Sequence, residues 1–230
     1  VQITPDEIIY WEYGPVIINA TIVFTWVLMA LMVGGSFLIT RRIKKTIKPS
    51  RWQMMLETIV EVIGKQITEI SNQPSATFLP FIGTLFLFIV VSNILMVVPG
   101  FQPPTGSLST TAALALCVFF AVPIFGISQQ GLGSYLKQYL RPTPLMLPFN
   151  IIGEVSRTMA LAVRLFGNVM SGTLIVAILI SLIPLVFPIV MQVLGLLTGV
   201  IQAYIFAILA LVYISSGMRE KQENNNQERG

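Results

Sequence analysis

Histidine is absent from the chain, and cysteine occurs once in its 230 residues, as Cys117 inside an apolar run. No imidazole is therefore available to relay a proton, and no intrachain disulfide is possible. Charge is scarce: 14 basic and 10 acidic side chains make up 10% of the sequence. No loop of the GxxxxGK type followed by serine or threonine is present, and no cluster of metal-ligating side chains. This excludes nucleotide chemistry by the chain acting alone, so no catalytic residue, cofactor, metal or nucleic-acid partner is expected. The opening stretch, VQITPDEIIYWEYGP, is acidic and aromatic rather than basic. It predicts no signal peptide, leaving the spans themselves to direct insertion.

Hydrophobic residues, by contrast, make up 54% of the chain, and the mean hydropathy is +0.80. Such a composition describes an all-α integral membrane protein, a single membrane domain over residues 1–230. Residues 1–15 read as an external segment and 16–39 as the first span, which stops at the basic cluster RRIKKTIK. Basic clusters mark the inner side, so the N-terminus is expected outside and the C-terminus inside. Over 52–72 apolar residues recur at helical spacing among Glu57, Glu61, Lys65 and Glu69, the pattern of an amphipathic helix at the inner surface. Residues 78–216 read as a four-helix region. Its first two spans, about Phe78 to Val98 and about Thr110 to Ile127, are joined by PGFQPPTGSLS outside. They are followed inside by SQQGLGSYLKQYLRPTP, with Lys137 and Arg141. Two long runs come next, about Leu145 to Ile183 and about Leu185 to Ser215, before the polar tail 217–230. Five crossings result.

The long runs pose a problem of length. At about 1.5 Å per residue the run from Leu145 makes a helix of about 58 Å, against a hydrocarbon core of about 30 Å. It must break or lie strongly tilted. Pro184 and Pro188 predict the turn between the pair. Ordinary mismatch does not reach this size, so a protein partner is expected to hold the hairpin inclined.

Arg164 lies at the centre of the first long run, about 19 residues from either end. A guanidinium cannot shed its proton to escape low dielectric, and at mid-helix it costs about 2.5–3.5 kcal/mol on insertion scales. On a helical wheel its face includes Arg157, Ala160, Leu161, Gly167, Asn168 and Ser171, mostly small or polar. The second run carries Gln192, Gly195, Gly199, Gln202 and Phe206 at similar spacing. Glu154, ten residues before Arg164, reads as interfacial, and no acid follows it until Glu220. The neutralising carboxylate is expected on a second protein. Snorkelling to the interface and hydrogen bonding between neighbouring helices remain the simpler readings for Asn168, Ser171 and Gln202.

These residues carry a family resemblance. RLFGN at Arg164 to Asn168, preceded by RPTPLMLPFNIIGEVSR and followed by GVIQAYIFAILALVYIS around Gln202, resembles subunit a of F-type rotary ATP synthases. The likeness extends to PFIGTLFLFIVVSN at Pro80 to Asn93 and to GLGSYLKQYLRPTP, and so covers most of 78–216. It implies a non-catalytic stator subunit beside a ring of small hairpin c-type subunits, each with one mid-membrane carboxylate. Peripheral-stalk b-type subunits, the remainder of the synthase and membrane lipid complete the implied partners. By the same resemblance Arg164 is the essential arginine between two half-channels, Asn168 its polar neighbour and Gln202 its support on the last helix. Arg157 and Glu154 match a basic and an acidic family position. Ser171, Thr173, Gln192, Thr198, Glu154 and Arg157 are the candidate half-channel lining, and Ser181 joins Ser171, Thr173, Gln192 and Thr198 as a candidate member of a water chain.

The chain departs from the family at two places. Thr173 stands where many members carry a glutamate, and Gly195 occupies the corresponding place on the last helix. The usual acidic or imidazole relay is therefore missing, and a chain of hydroxyls and water is the expected substitute. Protons are expected over sodium ions. The implied setting is an energy-coupling membrane, a bacterial inner membrane or a thylakoid. Two other classes fit the residues read alone: a secondary transporter, for which no internal repeat is found, and a structural membrane scaffold.

Overall fold

In the computed structural model, which describes residues 9–13, 16–42, 51–71, 74–98, 101–133, 146–182 and 187–227, regular structure is helical except for one hairpin. That hairpin pairs β1 (Ile9–Tyr13) antiparallel with β2 (Val16–Asn19). Its register sets Trp11 against Ile18 and Tyr13 against Val16, with an irregularity between Ile9 and Trp11. The first helix consequently begins at Ala20, not at Val16. Aromatic and β-branched residues on both sides of a Gly-Pro pair favour strand over helix here.

Among the described residues six long α-helices follow: α1 (Ala20–Arg42), α2 (Arg51–Ser71), α3 (Leu79–Leu95), α4 (Leu108–Gln130), α5 (Met146–Leu182) and α6 (Phe187–Gln227). Four contain stretches long and apolar enough to cross a membrane: Ala20–Leu38, Leu108–Ser128, Pro148–Ser181 and Ile189–Ser216. A fifth apolar helix, α3, has 17 residues. At about 1.5 Å per residue it spans about 26 Å, near the lower limit for a crossing. The described residues thus form an all-α membrane protein with one small N-terminal hairpin.

The two long helices are each continuous, 37 residues in α5 and 41 in α6. Neither breaks, so inclination is what remains to fit their length to a bilayer. Pro184 lies outside the described residues. Pro188 sits in the first turn of α6 rather than in the connection, a position where a missing amide hydrogen costs nothing. At the other end, α6 does not stop at Ser215 but continues through the polar residues to Gln227. After Gly217 the sequence MREKQE offers good helix formers and no breaker.

The core lies where α3, α4 and α5 meet α6. Ile89 of α3, Ala115 of α4, Leu161 and Leu165 of α5, and Phe206 and Leu211 of α6 are all essentially inaccessible. Ala203, Ala207 and Ala210 keep α6 slim, so its neighbours approach closely. α2 packs against α3 and α6 with Ile67 and Ser71 buried and Gly64 against Ser75, while Glu57, Glu61, Lys65 and Glu69 are exposed. On that exposed face Lys65 Nζ lies 2.9 Å from Glu61 Oε1. The hydrogen bond and charge of Glu61 raise the Lys65 pKa.

The Pro/Gly-rich connection before α4 is folded into the bundle. It makes a 3-10 turn at Pro104–Gly106, residues 103–107 are buried, and Thr105 Oγ1 lies 3.3 Å from Ser92 Oγ of α3. Ser107 then caps α4, its side chain accepting from the Ser109 amide at 3.2 Å. On the outer flank the rings of Phe24 and Phe101 meet edge to face, centroids 4.9 Å apart, tying α1 to the start of this connection.

Candidate functional site

α5 turns two different faces to its surroundings. Leu161, Ala162, Leu165 and Val169 are buried against the rest of the bundle. Arg157, Ala160, Arg164, Gly167 and Ser171, spaced at helical intervals of three and four, are exposed. Leu161, expected on the arginine's face, is 1% exposed and belongs to the core instead. At three residues' spacing it lies about 60° round the helix from Arg164, enough to turn it inward. The small and polar stripe around Arg164 is flanked instead by the exposed apolar side chains of Val155, Met159 and Val163.

Arg164 is at the middle of that stripe and has no hydrogen-bond or ion-pair partner among the described residues. Two turns earlier, Arg157 is also exposed, but its guanidinium carbon stands 5.7 Å from the centroid of the Tyr213 ring on α6. A cation over an aromatic face is partly stabilised where it is. The two arginines thus differ: one is held against the hairpin partner and the other is left open. Glu154 is half-buried near the start of α5, and its carbonyl accepts from Thr158 Oγ1 at 2.9 Å. Asn168 is half-buried beside the stripe.

On α6 the polar residues are divided. Gln202 is 7% exposed and faces the bundle, and its Nε2 is buried with no hydrogen-bond partner. Gly199 and Phe206 are buried with it, whereas Gln192 and Gly195 are half-buried. Gln192 Nε2 donates to the carbonyl of Met96, the residue that follows α3, at 3.5 Å. No hydrogen bond joins Gln202 to Arg164 among the described residues.

The hydroxyls share one habit: Ser171 donates to the Asn168 carbonyl at 3.1 Å, Thr173 to Met170 at 2.9 Å, Ser181 to Ile178 at 2.6 Å, and Thr198 to Leu194 and Gly195 at 3.1 Å. Each O–H is spent on its own helix, which leaves oxygen lone pairs to accept from water. Ser171, Ser181 and Thr198 are exposed and Thr173 is half-buried. The polar residues of α5 and α6 therefore do not form one closed cluster.

Comparison with known proteins decides what this arrangement belongs to. The family described as "ATP synthase A chain" matches residues 22–215. The chain belongs to that family. It is 60% identical to "ATP synthase subunit a 2" of Acaryochloris marina over 97% of this chain and 95% of that protein. It is also 58% identical to "ATP synthase subunit a" of Albidiferax ferrireducens over 96% of both. A third relative, "ATP synthase subunit a 1" of Chlorobaculum parvum, is 57% identical over 98% of this chain and all of that protein. An ATP synthase a subunit is a non-catalytic, ion-transporting membrane component, which agrees with a chain of apolar helices. The Asn93–Gly199 contact described below is a feature that sequence reading missed. Its only trace in the sequence is a polar residue near the end of an apolar helix.

Proposed function

We propose that this chain is the ion-translocating stator of a rotary ATP synthase, with Arg164 facing the carboxylates of a ring of c-type hairpin subunits. The observation that carries the reading is the partnerless Arg164, exposed at the centre of a stripe of small residues on α5. No described carboxylate pairs with it, which supports an anion brought by another protein. b-type peripheral-stalk subunits hold the stator against the ring. The N-terminus lies outside and the C-terminus inside, in keeping with the positions of the basic clusters.

Mechanism follows from charge. Two offset half-channels lead to the ring from opposite sides, with Arg164 between them. Its positive charge favours the ionised ring carboxylate as it passes and repels a cation that would cross directly. Rotation is then the remaining route, and each elementary charge that completes it gains about 2.3 kcal/mol per 100 mV. Gln202 supports the arginine from α6. Its amide carries both an acceptor for a guanidinium and donors for a carboxylate. Replacing Gln202 with leucine is expected to lower ATP-driven pumping in assembled complexes while leaving measurable coupling. Loss as complete as that of an Arg164 variant would give the two residues one role, against this account.

The outer half-channel rests on hydroxyls and water. Thr173→Val removes the oxygen that accepts from water and is expected to slow ion entry severalfold, as the loss of one hydrogen bond of about 1 kcal/mol implies. Thr173→Glu supplies acceptor oxygens at the same point and is expected to keep pumping near the wild-type rate. Equal pumping by the valine variant and the wild type would place the path elsewhere. Protons are the proposed ion. ATP hydrolysis in detergent at fixed pH should not change as sodium is varied, and sodium should not protect the ring from carbodiimide. The secondary-transporter and scaffold readings have no observation of their own once family membership accounts for the chain.

A further inference from the structure

Near the end of α3, Asn93 is 3% exposed, and its Nδ2 donates to the Gly199 carbonyl of α6 at 3.0 Å. In an α-helix that carbonyl already accepts the amide four residues on, so Asn93 occupies its second lone pair. The approach has no slack. A Cβ added to Gly199 falls 2.9 Å from both Cγ and Nδ2 of Asn93. Along the same seam Gln192 reaches in the opposite direction to the Met96 carbonyl at 3.5 Å. The Asn93 amide thus ties α3 to α6, with the longer Gln192 contact beside it at the end of α3.

Gln202 is one turn beyond the Gly199 anchor, with its own Nε2 buried and unpartnered. An unpaired buried N–H is unfavourable, so the Nε2 end of Gln202 does not hold the side chain in place. Its neighbours show what is at stake. Ile201 is 49% exposed and Tyr204 is 44% exposed, both on the outer side of α6. A rotation of α6 by one residue, about 100°, exchanges Gln202 for Ile201.

We propose that Asn93 is a positioning residue for Gln202: its bond to the Gly199 carbonyl fixes the rotation and depth of α6, keeping the Gln202 amide turned into the bundle. The proposal rests on the stator reading for its functional consequence and on the α3–α6 contact alone for its geometry. The experiment separates the two. In complexes carrying Cys117→Ser, Asn93→Cys together with Gly199→Cys should form a disulfide under mild oxidation, whatever the complex transports. No disulfide overturns the anchor.

ATP-driven proton pumping is then measured on assembled Asn93→Leu complexes, with the rate divided by ATP hydrolysis. A fall of about fivefold in this coupling ratio is expected, the size of a lost hydrogen bond. The double variant Asn93→Ala with Gly199→Ala places the one new methyl, at residue 199, in the space vacated by the Asn93 amide, restoring packing without the bond. Its assembly should recover while its coupling ratio stays low. An unchanged ratio in Asn93→Leu, or a ratio regained in the double variant, reduces Asn93 to packing and overturns the proposal. Arg164→Ala in the same preparation is the control on the stator reading. If it pumps normally while the disulfide still forms, that reading fails and the anchor stands.

Discussion

Replacing Arg164 with alanine is expected to abolish ATP-driven ion pumping and ATP synthesis while the chain still inserts and assembles. Insertion survives because Arg164 is exposed and makes no hydrogen bond or ion pair with the described residues, so its removal breaks nothing internal. Removing a mid-membrane charge even lowers the insertion cost, by about 2.5–3.5 kcal/mol on insertion scales. Function does not survive, because no other described basic group is free to take the role. Arg157, two turns away, is held over Tyr213. The loss should be at least the roughly 10²–10³ in rate that one preorganised electrostatic group supplies elsewhere. The same complexes, stripped of their catalytic head, should conduct protons passively, since the charge that blocks direct passage has gone. Lysine is a poor substitute: its compact ammonium lacks the guanidinium fork and gives up its proton more readily when desolvated. Wild-type synthesis by assembled Arg164→Ala complexes contradicts the account.

The second large effect concerns a residue with no chemistry of its own. Gly167 is on the exposed stripe of α5, and a Cβ added there meets nothing within 4 Å. Gly167→Leu is therefore expected to leave the chain folded, and it improves helix propensity by about 0.8–1 kcal/mol. Within the synthase, however, four added carbons stand between Arg164 and an approaching ring helix. Overpacking a tight contact costs about 1–3 kcal/mol, so pumping should fall about tenfold or more at normal chain abundance. Gly199 gives the opposite pattern, because there the added Cβ collides with Asn93 inside the chain. Two glycines on paired helices thus report on two interfaces. Gly167→Leu complexes that pump at the wild-type rate would show that no helix comes close to this face.

The helical runs, the length of the last two helices and the exceptional position of Arg164 were legible because each depends on local hydropathy and on the cost of a charge in an apolar run. The direction of each stripe was less so. Leu161 and Gly167 lie equally far in sequence from Arg164, yet one is buried and the other exposed, because the choice depends on where α4 and α6 pack. The N-terminal hairpin has no such local signal, and its sequence predicts a plain external segment and the start of a span. An apolar stretch as short as Val16–Asn19 has the same hydropathy as the helix it precedes. The continuation of α6 to Gln227 was hidden by polarity, which ends a membrane span but not a helix. The contact between Asn93 and Gly199 joins residues 106 positions apart. No local pattern encodes it.

The central claim is that the Arg164 stripe of α5 is the face that meets the ring carboxylates. Disulfide cross-linking measures this most directly. With Cys117→Ser as background, cysteine replaces Gly167 on the stripe or, as a control, Phe120 on the exposed outer face of α4. Each is paired with a cysteine placed on the ring subunit at the depth of its carboxylate. The account predicts an adduct between stator and ring subunit from Gly167→Cys and none from Phe120→Cys. An adduct from the α4 position with none from the α5 stripe would contradict it.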